Sequence, residues 1–254
     1  MVDEVEVPLD GGNTSDGVVR VGETVRKPWG TATSAVFEFM AAVRAENVDV
    51  PVALGRDDRG RQITEFVPGC SALHAPPLSL SGLHRVGRIV RAIHDASEGF
   101  TPTVDAPWDV VIPAPSGELI CHNDLAPWNL IIGDRWVFID WDGAGPSSRV
   151  WDLAYAAQAF TLSDASEVPE VAATRLAALI DGYGADQNLR QQLPGTMVLR
   201  ARAMYELLHS SHRSGREPWA SMFASGHGRH WHTATEYVER HQQVWSRALL
   251  SHAC

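Results

Sequence analysis

Residues 118–146 read ELICHNDLAPWNLIIGDRWVFIDWDGAGP. Three short apolar runs, Leu119-Ile120-Cys121, Leu130-Ile131-Ile132 and Trp136-Val137-Phe138-Ile139, predict strands. Gly133-Asp134 between the last two marks a hairpin turn. In that frame Asp124 and Asn129 sit on a loop between strands, and Asp140 and Asp142 lie just past a strand end. Strand ends hold side chains rigidly while leaving them open to a ligand. Carboxylates gathered there, with His122 at the head of the loop, predict a polar site.

Phosphoryl transfer needs a carboxylate to orient an attacking hydroxyl and take its proton. It also needs oxygen ligands for the magnesium that rides on the nucleotide phosphates. An Asp, an Asn five residues on, and a further Asp after a hydrophobic strand supply both. His122-Asn123-Asp124-Leu-Ala-Pro-Trp-Asn129 has the His-x-Asp-x4-Asn spacing of a kinase catalytic loop, and Asp140 stands after the next hairpin. An Asx-rich turn of solvated acids would not require this spacing, order and strand context together.

These residues, with Ile139-Asp140-Trp141-Asp142 and Trp151-Asp152-Leu153-Ala154, resemble the aminoglycoside phosphotransferase family, the bacterial small-molecule branch of the kinase-like superfamily, which also contains choline and homoserine kinases. The similarity runs from about Leu9 to the last helices. It implies an α+β, two-lobed protein-kinase-like fold. Residues 1–67 would form a small antiparallel-sheet N-lobe covering the nucleotide, and residues 68–254 a larger, mainly helical catalytic and substrate C-lobe. It further implies ATP or GTP as co-substrate with magnesium, and a small-molecule hydroxyl as acceptor, an aminoglycoside-like cation among the candidates. Asp124 would be the base and His122 a brace for the loop. Asn129 and Asp140 would hold magnesium, with Asp142 helping at a second ion. Glu65-Phe66-Val67-Pro68-Gly69 is similar to the family's linker between lobes, so the backbone of Glu65 and Val67 is the expected purine contact. Asp152 would support the catalytic loop from behind.

The N-terminal third reads as strands and one helix. Leu9 to Gly17 is a glycine-bearing loop suited to covering phosphates, though without a G-x-G-x-x-G pattern. Strands follow at 18–21 and 24–27, joined at Gly22-Glu23. Of 21 basic residues Lys27 is the only lysine, and it closes the second of these strands. Kinases place a lysine there to grip the α- and β-phosphates. Residues 34–46 predict an amphipathic helix, and Glu38 on it is the expected acid partner of Lys27, with Glu46 fitting a looser alignment. Residues 51–55 and 61–67 predict a further hairpin.

Beyond the linker the pattern is helical: 79–96 behind a Ser79 cap, a helix after Ser147-Ser148, then 167–182, 194 to about 214, and 228–250. His94-Asp95 reads as a cap or core polar pair. Met197, Val198, Ala201, Met204, Tyr205 and Leu208 form a stripe of the kind that builds cores. His227, His230 and His232 invite a metal reading but lack Cys or carboxylate partners at supporting positions, so exposed helix-start histidines are expected. The short span from Asp142 to Asp152 leaves no room for a long activation loop, which favours a small acceptor over a protein.

Composition sets the outer bounds. At 254 residues the chain can bury a full core, and 44% hydrophobic content is ordinary for a globular protein. A net charge of −10 argues against a nucleic-acid partner and is compatible with a cationic substrate. The acidic start lacks the features of a signal peptide, and no apolar run reaches membrane-spanning length. Cys70, Cys121 and Cys254 fit reduced thiols. A cytoplasmic enzyme with no membrane association and no obligate protein partner is expected. The alternatives are a kinase for choline, homoserine, a sugar or a macrolide, a catalytically inactive nucleotide-binding relative, and a metal hydrolase using His122 and Asp124. Asp164, Glu167, Glu170, Glu206 and Glu217 could meet a polyamine, although solvated helix faces explain them as well.

Overall fold

A computed structural model describes residues 5–9, 17–103 and 107–251. The predicted loop of turn formers after Leu9 falls mostly outside this set. Strands β1 (Glu6–Pro8), β2 (Val19–Val21), β3 (Thr24–Lys27), β4 (Ala53–Arg56) and β5 (Gln62–Glu65) form one antiparallel sheet in the order β1-β2-β3-β5-β4. Gly22 opens the β2–β3 turn with φ +58°, a left-handed value that glycine adopts without a Cβ clash. The register sets Lys27 opposite Gln62, so both side chains leave the sheet at one end.

Helix α1 (Thr33–Ala45) buries Val36, Phe39, Met40 and Val43, a spacing of three and four residues that places them on one face. Phe39 meets the ring of Trp141 at 5.7 Å, which anchors α1 on the segment that carries Asp140 and Asp142.

Short ribbons then frame the central stretch. β6 (Cys70–Ser71), β8 (Leu130–Ile132) and β9 (Trp136–Phe138) make a three-stranded sheet, and β7 (Leu119–Cys121) pairs with β10 (Gly145–Ser147). The predicted hairpin at Gly133-Asp134 is the β8–β9 connection.

Helices α2 (Leu80–Ala96), α3 (Arg149–Thr161), α4 (Pro169–Tyr183), α5 (Gln187–Ser214), α6 (Trp219–Met222), α7 (Gly228–Arg240) and α8 (Gln242–Leu250) complete the chain. Ser79 caps α2 by accepting from Gly82 N at 3.2 Å, and Ser148 caps α3 through Trp151 N at 3.3 Å; such caps are each worth about 1 kcal/mol. From Trp151 to Thr161 every residue of α3 is buried, so it is the central element of the helical part. α2 and α4 cross at two glycines. A Cβ on Gly87 would overlap the backbone of Leu179 and Tyr183, and one on Gly182 would overlap that of His84.

Two helix boundaries differ from the sequence reading. α5 begins at Gln187, and Pro194 lies inside it. Proline suits a first turn, which is why the start was expected there. Asp186 nevertheless caps earlier, accepting from Leu189 N at 2.8 Å, and buried Leu193 and Met197 carry the apolar stripe through. The expected last helix divides at His241, where Tyr237, His241 and Trp245 pack their rings together. Among the described residues no helix is long and apolar enough to cross a membrane.

Candidate active site

β7 leads directly into the catalytic-loop candidate. His122 is fully buried, and its two ring nitrogens are both used. Nδ1 accepts from Asp124 N at 3.3 Å, which leaves the proton on Nε2 to donate to Ile139 O at 3.1 Å. The ring therefore ties the loop to the strand end before Asp140, as a brace would. Asn123 and Asp140 have φ of +65° and +60°. Left-handed backbone costs a residue with a Cβ roughly 1–2 kcal/mol. Hydrogen bonds offset it at Asn123, whose Nδ2 donates to Gly143 O at 3.1 Å and Gly145 O at 3.2 Å.

Asp124 stands on the floor of the cleft. Its Oδ2 accepts from Asn129 Nδ2 at 2.6 Å and from Trp128 Nε1 at 3.4 Å. The 3₁₀ turn Pro127–Asn129 folds Asn129 back to make this contact, with Nδ2 also reaching Asp124 O at 3.0 Å. Burial pushes the Asp124 carboxyl above its ordinary value; His122 opposes that shift and the charge of Asp140 adds to it.

Lys27 bridges to the same floor from the sheet. Its Nζ lies 2.7 Å from Asp140 Oδ1 and 2.8 Å from Asp142 Oδ2, while Gln62 Nε2 donates to Asp142 Oδ1 at 3.2 Å. Burial works against the ammonium, yet the two carboxylates hold its pKa above the ordinary lysine range. For Asp140 burial acts upward, and Lys27 overrides it, keeping the carboxyl below its usual value. With its Nδ2 committed to Asp124, Asn129 keeps Oδ1 without a protein donor among the described residues. Asn129, Asp140 and Asp142 thus form a set of hard oxygen donors, which fits a hard divalent cation.

The expected pairing of Glu38 with Lys27 is not made. Glu38 accepts from Thr103 N at 2.9 Å and from the Thr103 hydroxyl, so α1 turns this residue toward the 97–103 segment. Glu65 is also engaged elsewhere: its carboxylate meets Arg135 Nη2 at 2.5 Å and Val52 N at 3.1 Å, joining the sheet to the β8–β9 hairpin. Val67 is buried, and neither Glu65 nor Val67 lines the cleft.

Behind the loop lies a buried brace. Asp152 Oδ1 accepts from Asn123 N at 2.9 Å, and Oδ2 meets His94 Nε2 at 3.0 Å; His94 Nδ1 in turn meets the Tyr183 hydroxyl at 2.9 Å. His94 and Asp152 with Cys121 are near enough for a metal site. The His94 and Asp152 atoms are already committed, however, and burial followed by the Asp152 charge holds the Cys121 thiol well above its ordinary pKa, so it stays protonated. The trio is structural.

The cleft has a volume of about 880 Å³, within the range of small-molecule sites. Its floor is Asp124, Asn129, Asp140 and Asp142, and its far wall carries Tyr155, Arg200 and Trp231. Those three were not anticipated. A signal was present: Arg200 lies three residues after Met197 and four before Met204, on the apolar stripe of α5 rather than off it. None of Asp164, Glu167, Glu170, Glu206 and Glu217 lines the cleft. His230 and His232 are exposed, and with His227 they form no converging metal group among the described residues.

Residues 101–190, which hold the loop, the Asp140 segment and Asp152, match the model of the phosphotransferase enzyme family. The chain is 29% identical over 200 residues to a trifolitoxin immunity protein of Rhizobium leguminosarum bv. trifolii, covering 73% of this chain and 76% of that one. A microcompartment-associated aminopropanol kinase superposes with a TM-score of 0.63 at 16% identity, covering 97% and 95% of the two chains. An amicoumacin kinase does so with a TM-score of 0.64 at 12% identity, covering 92% and 88%. The fold is that of the kinase-like small-molecule kinases, and the family match supports small-molecule phosphotransferase activity.

Proposed function

We propose that this chain moves the γ-phosphoryl group of ATP or GTP to a hydroxyl of a small molecule, with Asp124 as the base. The observation that carries the reading is the Asp124–Asn129 contact at 2.6 Å beside the Lys27-bound pair Asp140 and Asp142. In the proposed step Asp124 Oδ1, which Asn129 and Trp128 leave open, orients the acceptor hydroxyl and takes its proton. The acceptor oxygen bonds to the γ-phosphorus as the bond to the β,γ-bridging oxygen breaks, and nucleoside diphosphate leaves. Lys27 neutralises the α- and β-phosphates. Asn129 Oδ1, Asp140 and Asp142 would hold magnesium, whose charge when bound offsets that of the phosphates. His122 keeps the loop in place without exchanging protons.

We take residues 1–67 as the nucleotide-covering lobe, and we place the enzyme in the cytoplasm. Cys70 and Cys121 are free thiols, as that compartment requires. Since none of Asp164, Glu167, Glu170, Glu206 and Glu217 lines the cleft, these acids give no preference for a polycation over another hydroxyl compound.

The test is magnesium-dependent nucleotide turnover against a panel of aminoglycosides, amicoumacin-like compounds, amino alcohols and hydroxy acids. One acceptor class should stimulate diphosphate release, and D124N should abolish it while nucleotide still binds. Absence of any nucleotide binding would overturn the reading.

A further inference from the structure

We infer that the acceptor carries a carboxylate and that Arg200 receives it in the far wall of the cleft. The inference rests on the phosphotransferase reading and identifies the acceptor's other end.

Lys27, Arg190 and Arg200 are the buried cationic side chains among the described residues, and only two of them have partners. Lys27 lies between Asp140 and Asp142. Arg190 uses all three nitrogens, on Ala185 O, Leu249 O and Asp181 Oδ1 at 2.9, 3.2 and 2.8 Å. Arg200 is 5% exposed, and its Nη1 is buried without an acceptor. No hydrogen bond or ion pair reaches its side chain among the described residues. A buried guanidinium is costly unless its donors are met, so natural proteins rarely leave one open outside a binding site.

Arg200 does have neighbours, but of the wrong kind to meet those donors. Its guanidinium carbon lies 4.2 Å over the ring of Tyr155 and 5.8 Å from that of Trp151. Ring faces cover the flat side of a guanidinium. Its N–H groups point outward in the plane of the group, where a carboxylate engages two of them at once. The rings therefore orient the fork and leave its edge for a ligand. Burial depresses the Arg200 pKa although Tyr155 and the charges of Asp124 and Asp152 oppose it, and an anion on the fork would oppose it further.

Position links this group to the chemistry. Tyr155 carries Arg200 on its ring, and both line the cleft with Asp124. A small hydroxy acid in this cleft can therefore present its hydroxyl to Asp124 and its carboxylate to Arg200. The nucleotide phosphates have their own candidates in Lys27 and the Asn129–Asp140–Asp142 set. Arg200 stands apart from these, on α5.

The experiment uses matched acceptors on the wild-type protein with magnesium and nucleotide: 4-hydroxybutanoate and homoserine against 4-hydroxybutanamide and 3-aminopropanol, with glycerol phosphate as a second kind of anion. The carboxylates should stimulate diphosphate release with the higher kcat/KM. R200M should lower that value roughly 10- to 100-fold, mostly through KM, the loss expected for a charge-assisted contact, while R200K recovers part of it. The amide and the amino alcohol should respond equally in all three proteins. Preference for a carboxylate-free or phosphorylated acceptor would overturn the inference. So would an equal effect of R200M on both members of a pair, or bound nucleotide with no response to any carboxylate. Failure to bind nucleotide would instead overturn the kinase reading beneath it.

Discussion

Asp152→Ala tests how the catalytic loop is held, independently of the substrate. Asp152 is 1% exposed and His94 is fully buried, so solvent does not readily replace the lost carboxylate. The substitution strands two donors, His94 Nε2–H and Asn123 N–H, that now reach Asp152 at 3.0 and 2.9 Å. A buried donor left without an acceptor costs about 1–3 kcal/mol. Two of them, less some local relaxation, give about 3–4 kcal/mol. In chains of this size each kcal/mol moves Tm by roughly 2–4 °C, so D152A should melt about 6–16 °C below the wild type. Asp152→Asn keeps one acceptor oxygen and should lose about half as much. Differential scanning calorimetry at pH 7, with urea denaturation as a second probe, measures both. If D152A melts within about 2 °C of the wild type, the brace does not hold the loop and the hydrogen-bond argument fails.

Other expectations follow from the same geometry. D124N should lower kcat about 10²- to 10⁴-fold with nucleotide affinity retained, as measured by turnover and direct titration. Because burial raises the folded pKa of Asp124, the stability it contributes is complete below its unfolded value and is lost as pH rises through the folded one. D124N should therefore melt at or above the wild type at pH 7. The acid limb of wild-type kcat against pH, where the base becomes protonated, should lie above the ordinary carboxylate value. K27A removes the charge that draws Asp140 and Asp142 together and should raise the nucleotide KM roughly 10- to 100-fold; an unchanged KM would remove Lys27 from the site. G87A and G182A should each destabilise by at least about 2 kcal/mol in urea melts, because the added Cβ meets backbone. The double variant should cost less than the sum, since helices already pushed apart admit the second methyl group.

The residues legible from the sequence are those whose meaning lies in local spacing. His122, Asp124, Asn129, Asp140 and Asp142 fall in one stretch, and two strand periods with a hairpin turn suffice to place them. Lys27 was legible because a lone lysine stands out among arginines at a strand end. Glu38 was misread because its partner, Thr103, comes from a segment with no periodicity, and helical spacing cannot say which neighbour arrives from 65 residues away. Arg200 and Tyr155 were missed for a related reason. A charged residue on a helix is ordinarily solvated, and only the packing of α3, α5 and α7 around the cleft encloses this one. β6 and β10 escaped notice because two or three residues carry no period, and their strand character depends on distant partners.

The crossing of α2 and α4 at Gly87 and Gly182 bears on how such an enzyme can change. At that point backbone faces backbone, so no neighbouring side chain can shrink to admit a larger residue. The same two helices carry His94 and Tyr183, and through them the contact to Asp152 and the loop. Substitution there is closed off from both sides at once, and the phosphoryl-transfer machinery is thereby fixed. The far wall, by contrast, is made of single side chains on α3, α5 and α7, each replaceable without touching the crossing. A lineage of this fold can explore new acceptors one residue at a time while its reaction stays constant.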